Sequence, residues 1–227
     1  MTATTNVLTW NTIWDDIYRS RSWGKYPKEE LIRFVAWNYY GVPDRKAVRF
    51  LDLGCGYGSS TWFLAREGFS VDAIDGSAVI VDKLGERLRA DGLEARLQAG
   101  DIVDLPYPSQ SFDCVVDIAC LMCNDPDSAR RILDGVFDRL KPGGKLFSMS
   151  ATPASWGSRS GPKVADQTYR DLIEGPFANT GTVRFSDEDQ IRDIYSRFDD
   201  LVIGWSEYSL GDKSRRVSHW LIEGTRR

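Results

Sequence analysis

The chain has 227 residues, 42% hydrophobic and 27% charged, which suits one globular domain with a substantial core. Its formal net charge of −4 excludes the broad basic field that grips a phosphate backbone, so nucleic acid is not an expected partner. The longest apolar runs, Phe50–Leu53 and Cys114–Cys123, are too short or too interrupted to cross a bilayer. Met1–Thr12 has neither the basic nor the apolar stretch of a leader peptide, so a cytoplasmic chain with no membrane association is expected.

In chain order, residues 8–40 are rich in aromatics: Trp10, Trp14, Tyr18, Trp23, Tyr26, Phe34, Trp37, Tyr39 and Tyr40. Glu29–Tyr40 reads as a helix that Gly41 and Pro43 stop. Val48–Leu53 is apolar apart from Asp52 and reads as a central strand buried on both faces. A tight loop, Gly54–Gly58, leads into a helix that Ser59 or Ser60 would cap and that runs to Glu67. Ser70–Ile74 is a second strand with Asp75 at its end, and Ser77 would cap a helix to about Ala90. Leu93–Gln98 and Phe112–Ala119 are the third and fourth strands. Asp125 or Asp127 would open a helix to Leu140, the turn Lys141–Gly144 ends it, and Lys145–Ser150 is the fifth strand. Residues 151–182 turn to Gly, Ser, Pro and basic residues, with a helix expected around Asp166–Ile173. Ser186–Asp189 resembles a capping box for a helix to Phe198. Leu201–Tyr208 and Val217–Gly224, flanking Gly211-Asp212, would close the fold as an antiparallel hairpin. Alternating strands and helices predict an α/β sheet covered on both faces.

The strongest chemical signal is Leu51-Asp-Leu-Gly-Cys-Gly-Tyr-Gly58, a strand running into a glycine loop and then a helix. Glycines let the backbone turn with positive φ and approach a ligand closely, and a helix N-terminus presents unpaired N–H groups. Asp75, ending the next strand, is where a carboxylate would meet a ribose diol. A dinucleotide fingerprint needs a third glycine at position 59, where the chain has Ser59, and Asp52 would repel a pyrophosphate. The four cysteines are expected to be reduced. Cys120 and Cys123 have the spacing of a metal or redox pair, but the only histidine, His219, is remote, so no metal site is expected.

Several segments, in order, resemble class I S-adenosylmethionine-dependent methyltransferases: Leu51–Gly58, Asp75-Gly-Ser77, Gly100-Asp-Ile102, Leu105-Pro106 with Ser111-Phe-Asp113, and Arg139–Gly144. The resemblance is clear over about residues 48–150 and looser beyond. It implies a Rossmann-like sheet of seven strands, mostly parallel, with a C-terminal antiparallel hairpin. It also implies S-adenosylmethionine as cofactor and S-adenosylhomocysteine as product. By the same resemblance Asp52, Gly54, Cys55, Gly56 and Gly58 would hold the methionine part, Asp75, Gly76 and Ser77 the ribose, Asp101 and Ile102 the adenine, and Ile118 and Ala119 would border the methyl group. Trp14–Tyr18 followed by Trp23–Pro27 resembles the leader of small-molecule members, which makes Tyr18, Trp23 and Tyr26 lid candidates. Four segments are expected in one domain: a helical lid (1–45), a cofactor-binding core (46–150), an acceptor-facing insertion (151–184) and a last helix with the closing hairpin (185–227).

Methyl transfer needs a base only where the acceptor must lose a proton. His219 and Asp117 are the weak candidates; His219 lies in a predicted strand, where a structural role is expected, and Asp125 reads as a helix cap. Cys123 and Asn124 follow the fourth strand, and Trp156, Arg159 and Arg184 place cations and an aromatic in the insertion. The expected acceptor is a small anionic, sugar-like or specialised-metabolite molecule methylated on oxygen. The rivals are an N-methyltransferase of a small molecule or protein, a non-catalytic cofactor-binding protein, and a nicotinamide-linked oxidoreductase.

Overall fold

A computed structural model describes residues 12–21, 24–211 and 213–227. Trp10, Trp23 and Asp212 therefore lie outside the described residues. The elements, in order, are α1 (Ile13–Ser20), α2 (Glu29–Tyr39), β1 (Arg49–Leu53), α3 (Ser59–Arg66), β2 (Ser70–Asp75), α4 (Ala78–Ala90), β3 (Arg96–Ala99), β4 (Phe112–Ile118), α5 (Pro126–Arg139), β5 (Leu140–Ala151), β6 (Lys163–Ala165), β7 (Thr168–Arg170), β8 (Thr182–Arg184), α6 (Glu188–Ile194), β9 (Asp199–Leu210) and β10 (Arg215–Thr225).

Seven strands form one sheet in the order β3-β2-β1-β4-β5-β10-β9. Neighbours from β3 to β5 are parallel, and β10 joins β5 and β9 antiparallel. This is the predicted Rossmann-like architecture with its closing hairpin. Helices cover both faces. Leu31, Phe34 and Val35 of α2 pack with Leu64 of α3 and Leu84 and Leu88 of α4 over one side. Ile132, Leu133 and Val136 of α5 and Ile191 and Ile194 of α6 close the other. The spacings i, i+3 and i+4 on α2 and i, i+4 on α4 are those of a core-facing helix stripe. Strand order reverses between β1 and β4, so their carboxyl ends diverge and leave a crevice, the usual ligand position in such sheets.

Four predicted elements differ from the observed ones. Neither Ser59 nor Ser60 caps α3: Gly58 occupies the cap position in left-handed conformation, without a side-chain cap bond. The helix expected at 166–173 is instead part of an antiparallel sheet, β6-β7-β8. Asp166 and Gln167 form a two-residue turn, Gln167 with φ 46°, and Tyr169 and Leu172 are buried with Val183 and Phe185. The capping box sits one residue later than expected: Asp187 accepts from Gln190 N at 2.9 Å while Gln190 Oε1 accepts from Asp187 N at 3.1 Å. Glutamine completes that box where Asp189 is too short, and α6 ends at Ile194 rather than Phe198. Finally, β5 starts at Leu140 and absorbs the Lys141–Gly144 turn as an irregularity in its register with β4.

Gly58 explains the rigidity of the first loop. Its φ is 70°, and a Cβ there would stand 2.1 Å from Leu84 Cδ1 on α4. Glycine is thus demanded by helix packing as well as by backbone conformation. Gly58→Ala is expected to lower unfolding stability by about 2 kcal/mol or more, seen as a lower urea midpoint at unchanged slope.

Candidate active site

The crevice at the strand reversal opens into a cavity of ≈ 550 Å³, inside the ~300–1,000 Å³ range of small-molecule sites. The ends of β1, β2 and β4 build one end of it. Gly54 and Gly56 turn with φ of 66° and 49° directly after β1. Asp75 closes β2, buried, with one carboxylate oxygen accepting from Gly56 N and the other from Ser77 N, both at 2.9 Å. The strand-end acid therefore ties the glycine loop to the start of α4. Each of its oxygens keeps a lone pair for a further donor. Ser59 and Ser60, at the uncapped start of α3, line the same end.

Asp52 lies deeper. Thr61 Oγ1 donates to it at 2.6 Å, and burial pushes its carboxyl up to about 7. After β4 the chain folds into a single 3₁₀ turn, Leu121–Cys123, entered through Ala119 at φ 65°. Cys120 from this turn packs on the glycine loop: a Cβ on Gly54 would fall 2.1 Å from its Sγ. Met122, Cys123 and Asn124 complete that wall.

α1 and the chain following it cover the crevice. Tyr18 is buried, with its ring edge-on to Tyr57, and a Cβ on Gly56 would lie 3.2 Å from its hydroxyl. Polar contacts fix this cover. Ser77 Oγ donates to Asp15, Lys83 Nζ to the Tyr18 carbonyl, and Arg87 Nη2 to the Lys25 carbonyl at 2.6 Å. The far end of the cavity is lined by Lys28, Phe177, Thr180, Tyr208 and His219. His219 is buried, edge-on to Phe177, and burial together with the Lys28 charge pushes its imidazole down to about 4, so the ring is neutral near pH 7.

Of the residues singled out in the sequence, the cavity lining unites Asp52, Gly54, Cys55, Gly56, Asp75, Gly76, Ile102, Ile118, Ala119, Tyr18, Tyr26, Cys123, Asn124 and His219. Gly58 and Ser77 stand just behind it, serving helix packing and the α4 cap. Asp101 is outside the lining and accepts from Val103 N at 3.1 Å. Asp117 is also outside the lining: wholly buried, it accepts from Cys120 N and Leu121 N. Trp156 and Arg159 are set apart too. The Trp156 indole donates to Glu174 at 3.0 Å and lies under the Arg215 guanidinium, while Arg159 is exposed. Arg184 is 1% exposed, lies outside the lining and donates to Ser186 and to the Leu121 and Asn124 carbonyls. The cation that does line the cavity is Lys28, which no sequence signal distinguished from its neighbours.

Comparison with known proteins agrees with this geometry. A methyltransferase domain model matches residues 50–144. Cypemycin N-terminal methyltransferase from Streptomyces is 35% identical over 138 residues, 60% of this chain and 54% of that protein. Demethylmenaquinone methyltransferase from Lactobacillus johnsonii is 37% identical over 101 residues, 42% and 41% of the two chains. A structure solved in work on conversion of a disulfide bond into a thioacetal group during echinomycin biosynthesis superposes with a TM-score of 0.71 at 19% identity, covering 94% of this chain and 90% of that one. These matches support a class I S-adenosylmethionine-dependent methyltransferase domain over residues 50–144. It spans about half the length of the first of these relatives and less of the second.

The residues of this cavity fit S-adenosylmethionine, the cofactor that such a domain implies. The close backbone approach at Gly54 and Gly56, the Asp75 carboxylate beside them and the buried Asp52 form the donor and acceptor set that a ribose diol and an amino-acid ammonium require. Asp52 adds a pH dependence. Its carboxyl is raised above the unfolded value, so its neutral form favours folding, and that contribution fades as pH rises through about 7. A bound ammonium group favours the charged form. Affinity for S-adenosylhomocysteine, measured by titration calorimetry, is therefore expected to rise between pH 5.5 and 7.5, by up to about tenfold per pH unit while Asp52 is mainly protonated. Asp52→Asn is expected to flatten that slope.

Proposed function

We propose that this chain transfers a methyl group from S-adenosylmethionine to an oxygen of a small anionic acceptor, and that residues 12–21 and 24–28 belong to the lid over the reaction. The observation that carries the reading is the polarity of the one continuous cavity. Two buried carboxyl groups, Asp52 and Asp75, stand at the glycine-loop end, whereas Lys28, Tyr208, Thr180 and the neutral His219 stand at the other. Bound there, S-adenosylmethionine supplies an electrophilic methyl group on a sulfonium.

The chain's own residues do the rest. Asp75 holds the ribose hydroxyls, and Asp52 with the Gly54–Gly56 backbone holds the methionine end. Lys28 orients the anionic end of the acceptor by charge, since it lines the cavity with no carboxylate within ion-pair distance among the described residues. His219, kept neutral by burial, accepts a hydrogen bond from an acceptor hydroxyl and receives its proton as the oxygen is methylated. Tyr18, Trp14 and Phe177 exclude water from the reacting atoms. In-line geometry, rather than a strong base, supplies most of the acceleration in such a site.

One observation favours a second reading. The similarity to cypemycin N-terminal methyltransferase allows an amine acceptor, with His219 taking the ammonium proton.

The test is formation of S-adenosylhomocysteine with matched panels of phenols, carboxylates and amines. Turnover is expected with anionic oxygen acceptors. Lys28→Glu should raise their KM by about tenfold or more while leaving cofactor affinity unchanged, and His219→Phe should lower kcat by about 10²-fold with hydroxyl acceptors. Turnover of amines alone, with Lys28→Glu improving their KM, would replace this reading by the second one.

A further inference from the structure

The 3₁₀ turn Leu121–Cys123 contributes Met122 and Cys123 to the cavity wall, and its backbone is held from both ends by buried charges. At its entrance the Asp117 carboxylate, wholly buried, accepts from Cys120 N at 2.9 Å and Leu121 N at 3.1 Å. Asp117 is itself fixed by Ser148 Oγ, which shares a 2.7 Å hydrogen bond with Tyr195 Oη behind it. At the exit Arg184, 1% exposed, donates to the carbonyls of Leu121 and Asn124, and its Nε donates to Ser186 Oγ at 2.9 Å. No carboxylate lies within ion-pair distance of Arg184 among the described residues. A buried guanidinium without an ion partner is costly, and here the carbonyl end of the turn compensates it. Negative charge at the N–H end and positive charge at the C=O end match the dipole of a helical turn.

We infer that Arg184 and Asp117 are positioning residues, a bracket that sets the Ala119–Asn124 turn and through it the place of Cys120 against the glycine loop. Arg184 stands on β8, so the small sheet β6-β7-β8 acts as the mount of this bracket rather than as an acceptor-contacting surface. A single 3₁₀ turn closes too few hydrogen bonds to hold its own backbone in place. The bracket replaces the missing helical length with two charge-assisted contacts.

The four cysteines are reporters already in place: Cys120 and Cys123 on the turn, Cys55 in the glycine loop and Cys114 inside β4. The full chain is labelled with 5,5′-dithiobis(2-nitrobenzoic acid) under native conditions, and the rate at each thiol is read by peptide mass spectrometry. Arg184→Met is expected to speed labelling of Cys120 and Cys123 by about tenfold or more over Cys114, with Arg184→Lys restoring most of the protection. Asp117→Asn, which keeps an acceptor oxygen but loses the charge, should show the same pattern more weakly. These two conservative variants carry the test if Arg184→Met does not fold. Uniform acceleration at all four thiols, or none at Cys120 and Cys123, overturns the bracket. A second arm, S-adenosylhomocysteine affinity, rests on the function proposed above and should fall by about tenfold in Arg184→Met. Failure of the unmodified chain to bind S-adenosylhomocysteine would sink that function, while the labelling pattern would still decide the bracket.

Discussion

The contact on which the site depends is the one between Gly54 and Cys120. Two parallel strands that diverge in connectivity must have their following turns meet, and here they meet so closely that any side chain at position 54 would collide with the Cys120 sulfur. Glycine at the end of β1 is the steric condition for that closure. Once the turns touch, the glycine loop is held from the other side by Asp75, whose two oxygens span Gly56 and Ser77. The cradle is thus fixed by strand ends and not by flexible loops, the arrangement that preorganises a site.

Charge then divides the space that geometry encloses. Burial raises Asp52 and also keeps His219 neutral, so the cavity holds groups that respond to a ligand rather than fixed charges already neutralised by one another. The acids gather where the cofactor's ribose and ammonium would be held, and the one lining lysine stands at the opposite end. The cover of α1 is attached by side chains of α4 to main-chain carbonyls.

The sheet and most of the cradle were legible because their signals are local. A buried strand, positive-φ glycines and a strand-end acid fall within a short stretch, and Ser77 and Asp125 cap their helices as their residue types demand. The far end of the cavity was less legible, because it is assembled from the residue before α2, from β10 and β9 and from the loop before β8, which are remote in sequence. Lys28 has no local mark, and Phe177 sits among ordinary loop residues. Arg184, expected among the acceptor-binding residues, is buried against two carbonyls, a tertiary contact that no local signal marks. The three short strands escaped notice because each is only three residues long, too short for alternation to show.

The most direct test of the central claim is calorimetric titration of the full chain with S-adenosylmethionine, S-adenosylhomocysteine and NADH, alongside Asp75→Asn. The structure predicts saturable binding of the first two, weakened by about ten- to a hundredfold in the variant as one charged acceptor is lost, and no binding of NADH. Preference for NADH, or S-adenosylhomocysteine binding that is indifferent to Asp75, would contradict the assignment of the cavity.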